Sequence, residues 1–366
     1  MEGTVLIHKE KTASTSFTSA MSLTRMGTSQ VPRRYVLPPS QRPNPNSIVS
    51  CSLLDPLPSN TLPLIDLASL QDPSMRSKVI DKIRNACKEF GFFQVINHGV
   101  SPSLMKGALD VASEFFNLPP EEKINLMSND INMPVRYGTS VNHVNDKVHF
   151  WRDFLKLYSH PLSKWIDLWP SNPPKYKERM GNYAEAVHAL HIQLLQAIFE
   201  SLGLNPNYLQ EEIQEGSQVM AVNCYPACPE PELALGMPPH SDYGFITILL
   251  QSYQGLEVMD KKQNWISVPV IDGGLLVNLG DHVEVISNGI YKSVVHRVTV
   301  NSEKKRLSIA SLHSLGIEKK VGPAPDLLDE QHPKNYKDSS FRDFLDFLSV
   351  NDILEGRFIE TLKTKA

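Results

Sequence analysis

Pro238-Pro239-His240-Ser241-Asp242 is followed 54 positions after Asp242 by His296, and 10 positions beyond that by Arg306-Leu307-Ser308. Side chains alternate faces along a strand, so His240 and Asp242, two apart, are expected to point the same way. His296 sits in Val294-Val295-His296-Arg297-Val298-Thr299-Val300, a β-branched run expected to be a second strand carrying a third donor. Two imidazoles and one carboxylate on one face of a metal ion leave the opposite positions open, a donor set suited to non-haem Fe(II) and oxygen. A lone His-x-Asp would mean little. The spacing gains weight from Arg306 and Ser308, which share one face of a further strand, Leu307-Ser308-Ile309-Ala310. A guanidinium fork beside a hydroxyl is suited to a carboxylate held by charge-assisted hydrogen bonds.

The charge balance narrows the partners. A chain of 366 residues with net charge −4, 21% charged and 41% hydrophobic is large enough for one extended core or two domains. It offers no electrostatic case for nucleic acid or an anionic membrane. No run approaches the roughly 18 apolar residues of a membrane span. No feature calls for an obligate protein partner. Cys51, Cys87, Cys224 and Cys228 have neither zinc nor disulfide spacing and are expected as buried or partly buried thiols in a reducing compartment.

After Gln218 the chain breaks into short apolar and β-branched runs separated by Gly, Pro and Asn. Val219–Val222, Ile246–Leu250, Leu256–Met259, Trp265–Val268, Leu275–Leu279, Val283–Ile286, Val294–Val300 and Leu307–Ser311 are expected as strands, a number and spacing that suit a jelly roll or barrel. Earlier, Val79, Ile80, Ile83, Cys87 and Phe90 mark one face of a helix that stops at Gly91, where a left-handed cap is easily formed. Phe92–Ile96 reads as a short buried strand. Ser101-Pro102 then opens a helix that runs toward Phe115-Phe116. Met180, Tyr183, Val187, Leu190, Leu194 and Ile198 repeat at three and four over a long helix ending at Gly203, expected to back the sheet.

Four stretches carry a specific resemblance. They are Gly91-Phe92-Phe93-Gln94-Val95-Ile96-Asn97-His98-Gly99, Asn278-Leu279-Gly280-Asp281, Ser287-Asn288-Gly289-Ile290-Tyr291-Lys292-Ser293, and Asn223-Cys224-Tyr225-Pro226-Ala227-Cys228-Pro229 just ahead of the metal motif. From about Leu62 to the C-terminus the chain resembles the plant 2-oxoglutarate/Fe(II)-dependent dioxygenases, and in wording the flavanone 3-dioxygenase-like branch. The resemblance implies a mixed α/β fold, a distorted double-stranded β-helix of jelly-roll type with flanking helices. It implies that His240, Asp242 and His296 hold Fe(II). It also implies that Arg306, Ser308 and Tyr225 bind the distal carboxylate of the co-substrate 2-oxoglutarate, with Asn223 near its iron-bound end. The implied reaction takes O2, releases succinate and carbon dioxide, and is supported by ascorbate.

On the same resemblance the chain divides into an arm-like or disordered extension over residues 1–60, a mostly helical region over 61–205, the core over 206–320 and a helical lid over 321–366. The stretch from Lys11 to Pro58 is dense in Ser, Thr and Pro and has no acidic residue between Glu10 and Asp55, a composition shared with plastid transit peptides. Val31-Pro32-Arg33-Arg34-Tyr35-Val36-Leu37-Pro38-Pro39-Ser40 resembles the family's N-terminal arm, however, and a cytoplasmic enzyme with a long arm is the expectation. Ser340–Leu348 and Asp352–Leu362 are expected as the closing helices.

Tyr137, Phe150 and Phe245 are candidate pocket residues from an aromatic-rich region and the metal motif's flank. The flavonoid-acting members usually carry Phe four residues after the Ser of Arg-x-Ser; here that position is Leu312, which removes a stacking partner worth about 0.5–1.5 kcal/mol. The leading expectation is oxidation of a flavonoid or related phenolic by hydroxylation, desaturation or dealkylation. The alternatives are a hormone- or alkaloid-directed dioxygenase, a same-fold oxidase that uses no 2-oxoglutarate, a zinc hydrolase on the same three donors, and a non-catalytic jelly-roll binding protein. His188 and His191, at i and i+3, have no third ligand in view and are expected to be structural. His98 is expected as a turn residue, and His282 is left open between a supporting and a substrate-facing role.

Overall fold

The computed structural model describes residues 18–44, 62–140, 146–354 and 356–364, with the backbone of residues 48 and 49. Among these residues two sheets form the frame. The larger runs, edge to edge, Leu64–Asp66, Phe92–Ile96, Leu275–Leu279, Ile246–Gln251, Arg306–Ser314, Ser217–Tyr225, Asp153–His160 and Val135–Gly138. The smaller runs Ile48–Val49, Trp265–Ser267, Leu256–Met259, His296–Val298 and Met237–His240. Two pairings are parallel, Leu64–Asp66 with Phe92–Ile96 and Ile48–Val49 with Trp265–Ser267. The remaining pairings are antiparallel. This is the mixed α/β jelly-roll expected.

Period-two alternation makes two cores from one sheet. Phe92, Leu249, Leu276 and Tyr225 point from the large sheet toward Met237, Leu256, Val258, Ile266 and Val298 of the small one. Their neighbours Phe93, Ile248, Leu250, Leu275 and Val277 point the other way, into the helical layer. That layer holds the helices Arg76–Glu89, Pro102–Asn117 and Tyr176–Ser201. All six periodic residues of the long helix, from Met180 to Ile198, are buried. Ser101 caps the second helix by accepting from Leu104 N, and Gly91 ends the first at φ +64°. A Cβ at Gly91 would stand 2.5 Å from the Lys292 carbonyl, so close approach as well as turn geometry selects glycine there. No helix among the described residues is long and apolar enough to cross a membrane.

Several expectations need correction. Val283–Ile286 lies in a helix, Asp281–Ile286, with Gly280 as its N-cap. Four apolar residues cannot distinguish a buried strand from a buried helical turn by periodicity. The strand around His296 is limited to His296–Val298, and the last closing helix to Phe358–Leu362. Region 61–205 is less helical than expected, because Leu64–Asp66, Phe92–Ile96, Val135–Gly138 and Asp153–His160 extend the large sheet. Residues 18–44 pack as an arm against the body of the protein. Ala20, Met21, Leu23, Val31, Tyr35 and Leu37 are buried, and Ala20 N donates to Asp153 Oδ1 at 2.9 Å. Residues 1–17 and Cys51 lie outside the described residues; Cys87, Cys224 and Cys228 are buried free thiols.

The strand that carries His296 is anchored by its neighbour in sequence. Arg297 and Glu257 face each other across the small sheet, Nε to Oε2 at 2.6 Å with both side chains buried. The guanidinium lies over Trp265 at 4.1 Å. Removing one member of such a pair strands the other charge in a dry interior. Glu257→Ala is expected to cost about 3–5 kcal/mol in urea unfolding, whereas Glu257→Leu with Arg297→Met is expected to recover most of that loss. Equal losses for the single and double variants would show that the ion pair is not what holds the strand.

Candidate active site

His296 and His240 are direct cross-strand partners on the small sheet. The strand Met237–His240 ends at His240, so Asp242 does not reach its place by strand alternation as expected from the sequence. The turn after the strand delivers it. That turn is pinned from behind: Asp281 N donates to Asp242 O at 2.9 Å and Gly280 N to Phe245 O at 2.8 Å. A Cβ at Gly280 would meet the Gly244 carbonyl at 2.4 Å, so the approach needs a residue without one.

Oδ1 of Asp242 lies 3.6 Å from His240 Nε2 and 3.7 Å from His296 Nε2. The far side of each ligand is occupied. His240 Nδ1 is 2.8 Å from Pro238 O and His296 Nδ1 3.2 Å from Val294 O. A carbonyl only accepts, so each Nδ1 donates and each Nε2 presents its lone pair to the centre. Asp242 Oδ2 accepts from Thr247 Oγ1 at 2.6 Å and Asn278 Nδ2 at 2.9 Å. Thr247 and Asn278 are themselves a cross-strand pair of the large sheet. Burial, with His296 beside it, pushes His240 down to about 4, which keeps it neutral. Burial alone would raise Asp242, but His296, His240, Thr247 and Asn278 together hold it below the usual carboxylate range. Two imidazoles and one carboxylate, each oriented by an outer hydrogen bond, fit a divalent iron.

Register gathers the residues expected at an anion site. Arg306 pairs with Tyr225 and Ser308 with Asn223 across two adjacent strands, so all four face the same cavity. Arg306 is buried; its Nε donates to Tyr253 O at 2.9 Å and Nη2 to Gln251 Oε1 at 2.8 Å. Its Nη1 is buried with no protein partner among the described residues. A fixed guanidinium with one donor left over offers an anion a charged hydrogen bond. Arg152 Nη1 donates to Asn223 Oδ1 at 2.9 Å, and Asn223 Nδ2 to Ala221 O at 2.9 Å. The asparagine thereby has its carbonyl turned toward Arg152.

A cavity of about 270 Å³ joins the triad to Arg306, Ser308, Tyr225 and Asn223. Leu312 lines it. Tyr137, Phe150 and Phe245 lie outside its wall. The Tyr137 hydroxyl donates to Asp153 Oδ2 at 2.7 Å beneath the N-terminal arm. Phe150 packs with Leu37 and Leu235. Phe245 faces the long helix, 6.4 Å from Phe199. Their near neighbours Arg136, Phe154 and Tyr243 line the cavity instead. On strand Asp153–His160, Phe154, Lys156 and Tyr158 oppose Asn223, Ala221 and Val219. A lysine in that alternation was a readable signal for a wall position.

The closing helices supply Phe341, Phe344, Phe347 and Phe358. Tyr243 stacks on Phe344 at 4.6 Å and on Phe341 at 5.5 Å. Phe154 lies between the Arg136 and Arg152 guanidiniums, at 5.0 and 4.9 Å. His282 is buried behind Tyr243, 4.2 Å away, and does not reach the cavity. His98 is a turn residue, its Nδ1 accepting from Val100 N and its Nε2 3.0 Å from Gly273 O.

Comparison with known proteins follows the same lines. Residues 216–314 match the 2OG-Fe(II) oxygenase superfamily, and residues 62–172 match the non-haem dioxygenase in morphine synthesis N-terminal family. Flavanone 3-dioxygenase 3 of Oryza sativa subsp. japonica is 46% identical over 306 residues, 82% of this chain and 93% of the relative. 2-oxoglutarate-dependent dioxygenase 21, chloroplastic, from the same organism is 48% identical over 313 residues, 85% of this chain and 93% of the relative. A crystal structure of JOX2 in complex with 2OG, Fe and JA superposes with a TM-score of 0.82 at 33% identity, covering 96% of this chain and 98% of that one. The matched segments contain the triad and the paired strands that carry Arg306 and Ser308, and on these grounds the chain belongs to the 2OG-Fe(II) oxygenase superfamily, as a 2-oxoglutarate-dependent dioxygenase using Fe(II).

Proposed function

We propose that the enzyme oxidises a flat, largely apolar small molecule with an acidic or phenolic group, a flavonoid or related phenolic fitting best. The observation that supports this reading is the make-up of the cavity wall. One side is aromatic, from Tyr243, Phe341, Phe344 and Phe358; another is cationic, from Arg136, Arg152 and Lys156. Rings on the lid replace the stacking partner that Leu312 cannot provide. The cations favour a substrate that carries or shares negative charge. The same cations favour, as a second reading, an apolar carboxylic acid of the hormone type, and JOX2 was crystallised with JA.

In this reading His240, Asp242 and His296 hold the iron. Bound there, the iron supplies the oxygen chemistry that couples decarboxylation of 2-oxoglutarate to oxidation of the substrate. Arg306 Nη1 and the Ser308 hydroxyl hold the distal carboxylate, with Tyr225 beside the guanidinium at 5.0 Å from its ring. Asn223, turned by Arg152, borders the end of the co-substrate nearest the triad. Residues of the lid keep bulk water off the reacting centre, and Lys156 orients the acidic end of the substrate.

Succinate release by the anaerobically purified protein, given Fe(II), ascorbate, oxygen and 2-oxoglutarate, is expected to rise with a member of a panel of flavanones, other phenolics and hormone acids. Succinate released equally with neutral alkanes would sink the proposed substrate class. Arg306→Ala is expected to raise the KM for 2-oxoglutarate about 10–100-fold, the loss of one or two charged hydrogen bonds, while Fe(II) still binds. An unchanged KM would remove Arg306 from the carboxylate site.

Lys156 supplies a pH test. Burial, then Arg136, pushes its ammonium group down to about 7. The charged form is therefore present below that value and lost as pH rises through it. KM for an acidic substrate is expected to climb across about 7, and Lys156→Met to flatten the profile. A wild-type profile no steeper than that of the variant would show that Lys156 does not meet the substrate's charge.

A further inference from the structure

The strand Arg306–Ser314 has two faces, and only one belongs to the active site. Arg306, Ser308, Ala310, Leu312 and Ser314 line the cavity. His313 points the opposite way, into the layer between the large sheet and the long helix Tyr176–Ser201, where it meets His188 and His191. The third ligand that could not be seen in sequence is thus supplied by a strand 122 residues further along the chain than His191.

The ligand nitrogens of His188, His191 and His313 all lie within 4.8 Å of one another. The His191 and His313 rings are 4.0 Å apart and nearly parallel, at 10°. His160 stacks on His188 at 3.8 Å. His191 and His313 are fully buried, and among the described residues neither ring nitrogen of either has a protein hydrogen-bond partner; nor does Nδ1 of His188. A neutral imidazole carries one donor and one acceptor, and burial without partners for either is rare in folded proteins. Burial holds His191 and His313 well below the ordinary histidine range and His188 at about 4. All three are therefore in the neutral form that ligates metals.

We propose that His188, His191 and His313 form a second metal site, separate from the iron centre, that takes a zinc-type divalent cation and ties the long helix to the central strand of the large sheet. Three imidazoles with no carboxylate among them disfavour magnesium and calcium, which take oxygen ligands, and suit zinc. The lone pairs of the stacked His191 and His313 rings lie in parallel planes, so the ion would be held once the rings turn out of the stack toward a common point, where two nitrogens at about 2.0–2.1 Å from a tetrahedral zinc stand about 3.4 Å apart. His160 and His188 are partly exposed and open a path for the ion. The fourth position falls to water or to His160, whose Nε2 is 3.0 Å from Gln214 O. The ion would sit directly behind the wall that carries Leu312 and stiffen it.

The test uses the full chain with the iron centre silenced by His240→Ala and Asp242→Ala together, titrated with Zn(II) against a chromophoric chelator and checked by metal analysis after dialysis. One zinc ion per chain is expected to remain, with a raised thermal midpoint. X-ray absorption is expected to show imidazole nitrogens at about 2.0–2.1 Å. Adding His191→Gln and His313→Gln is expected to abolish binding. Should that variant fail to fold, His188→Gln, at the partly exposed end of the cluster, is expected to weaken zinc binding by roughly tenfold or more. No zinc bound by the silenced chain would overturn the proposal. So would zinc bound with affinity unchanged by His188→Gln, with the buried imidazoles then satisfied by water alone.

Discussion

The register of Arg306–Ser314 between Ser217–Tyr225 and Ile246–Gln251 is the constraint on which the site depends. It sets Arg306 opposite Tyr225 and Ser308 opposite Asn223, and it carries Leu312 to the same wall. A slip of one residue would turn all of these to the helical side and bring Leu307, Ile309 and His313 into the cavity. The slip is resisted by the apolar residues themselves. Leu307 and Ile309 belong to the core beneath the helices, and exchanging them with Arg306 and Ser308 would bury a guanidinium among hydrocarbon.

Electrostatics then differ from place to place in one dry interior. At the triad, hydrogen bonds from behind leave lone pairs facing inward. At Arg306 two donors are fixed by Tyr253 and Gln251, and a third is left for a ligand. Beside the strand Asp153–His160 the guanidiniums of Arg136 and Arg152 lie against Phe154, and Lys156 Nζ donates to Ile131 O at 2.6 Å. The N-terminal arm supports this wall from outside, since it covers Asp153, Phe150 and Trp151.

Much was legible in the chain because it depends on short-range periodicity. The long helix, the cap at Ser101, the stop at Gly91 and most of the core strands could be read from spacing and turn residues. The triad and the Arg306/Ser308 pair could be read because their residue types carry their chemistry. The misreadings share a different cause. Tyr137, Phe150 and Phe245 are aromatic and near the site in sequence, but the side of the wall a residue faces depends on register and on what covers it. Arg136 and Tyr243, one and two positions away, face inward. Val283–Ile286 was too short for its period to be diagnostic.

The sequence by itself determined the donor set, the guanidinium and hydroxyl that share one strand face, and the class of fold, because side-chain chemistry and two-residue alternation are local properties. Only the tertiary structure decided which aromatic rings line the cavity, how the turn after His240 delivers Asp242, and that His313 meets His188 and His191. Each of these joins residues far apart in the chain, and long-range contacts follow from how sheets and helices pack rather than from the pattern of any single segment.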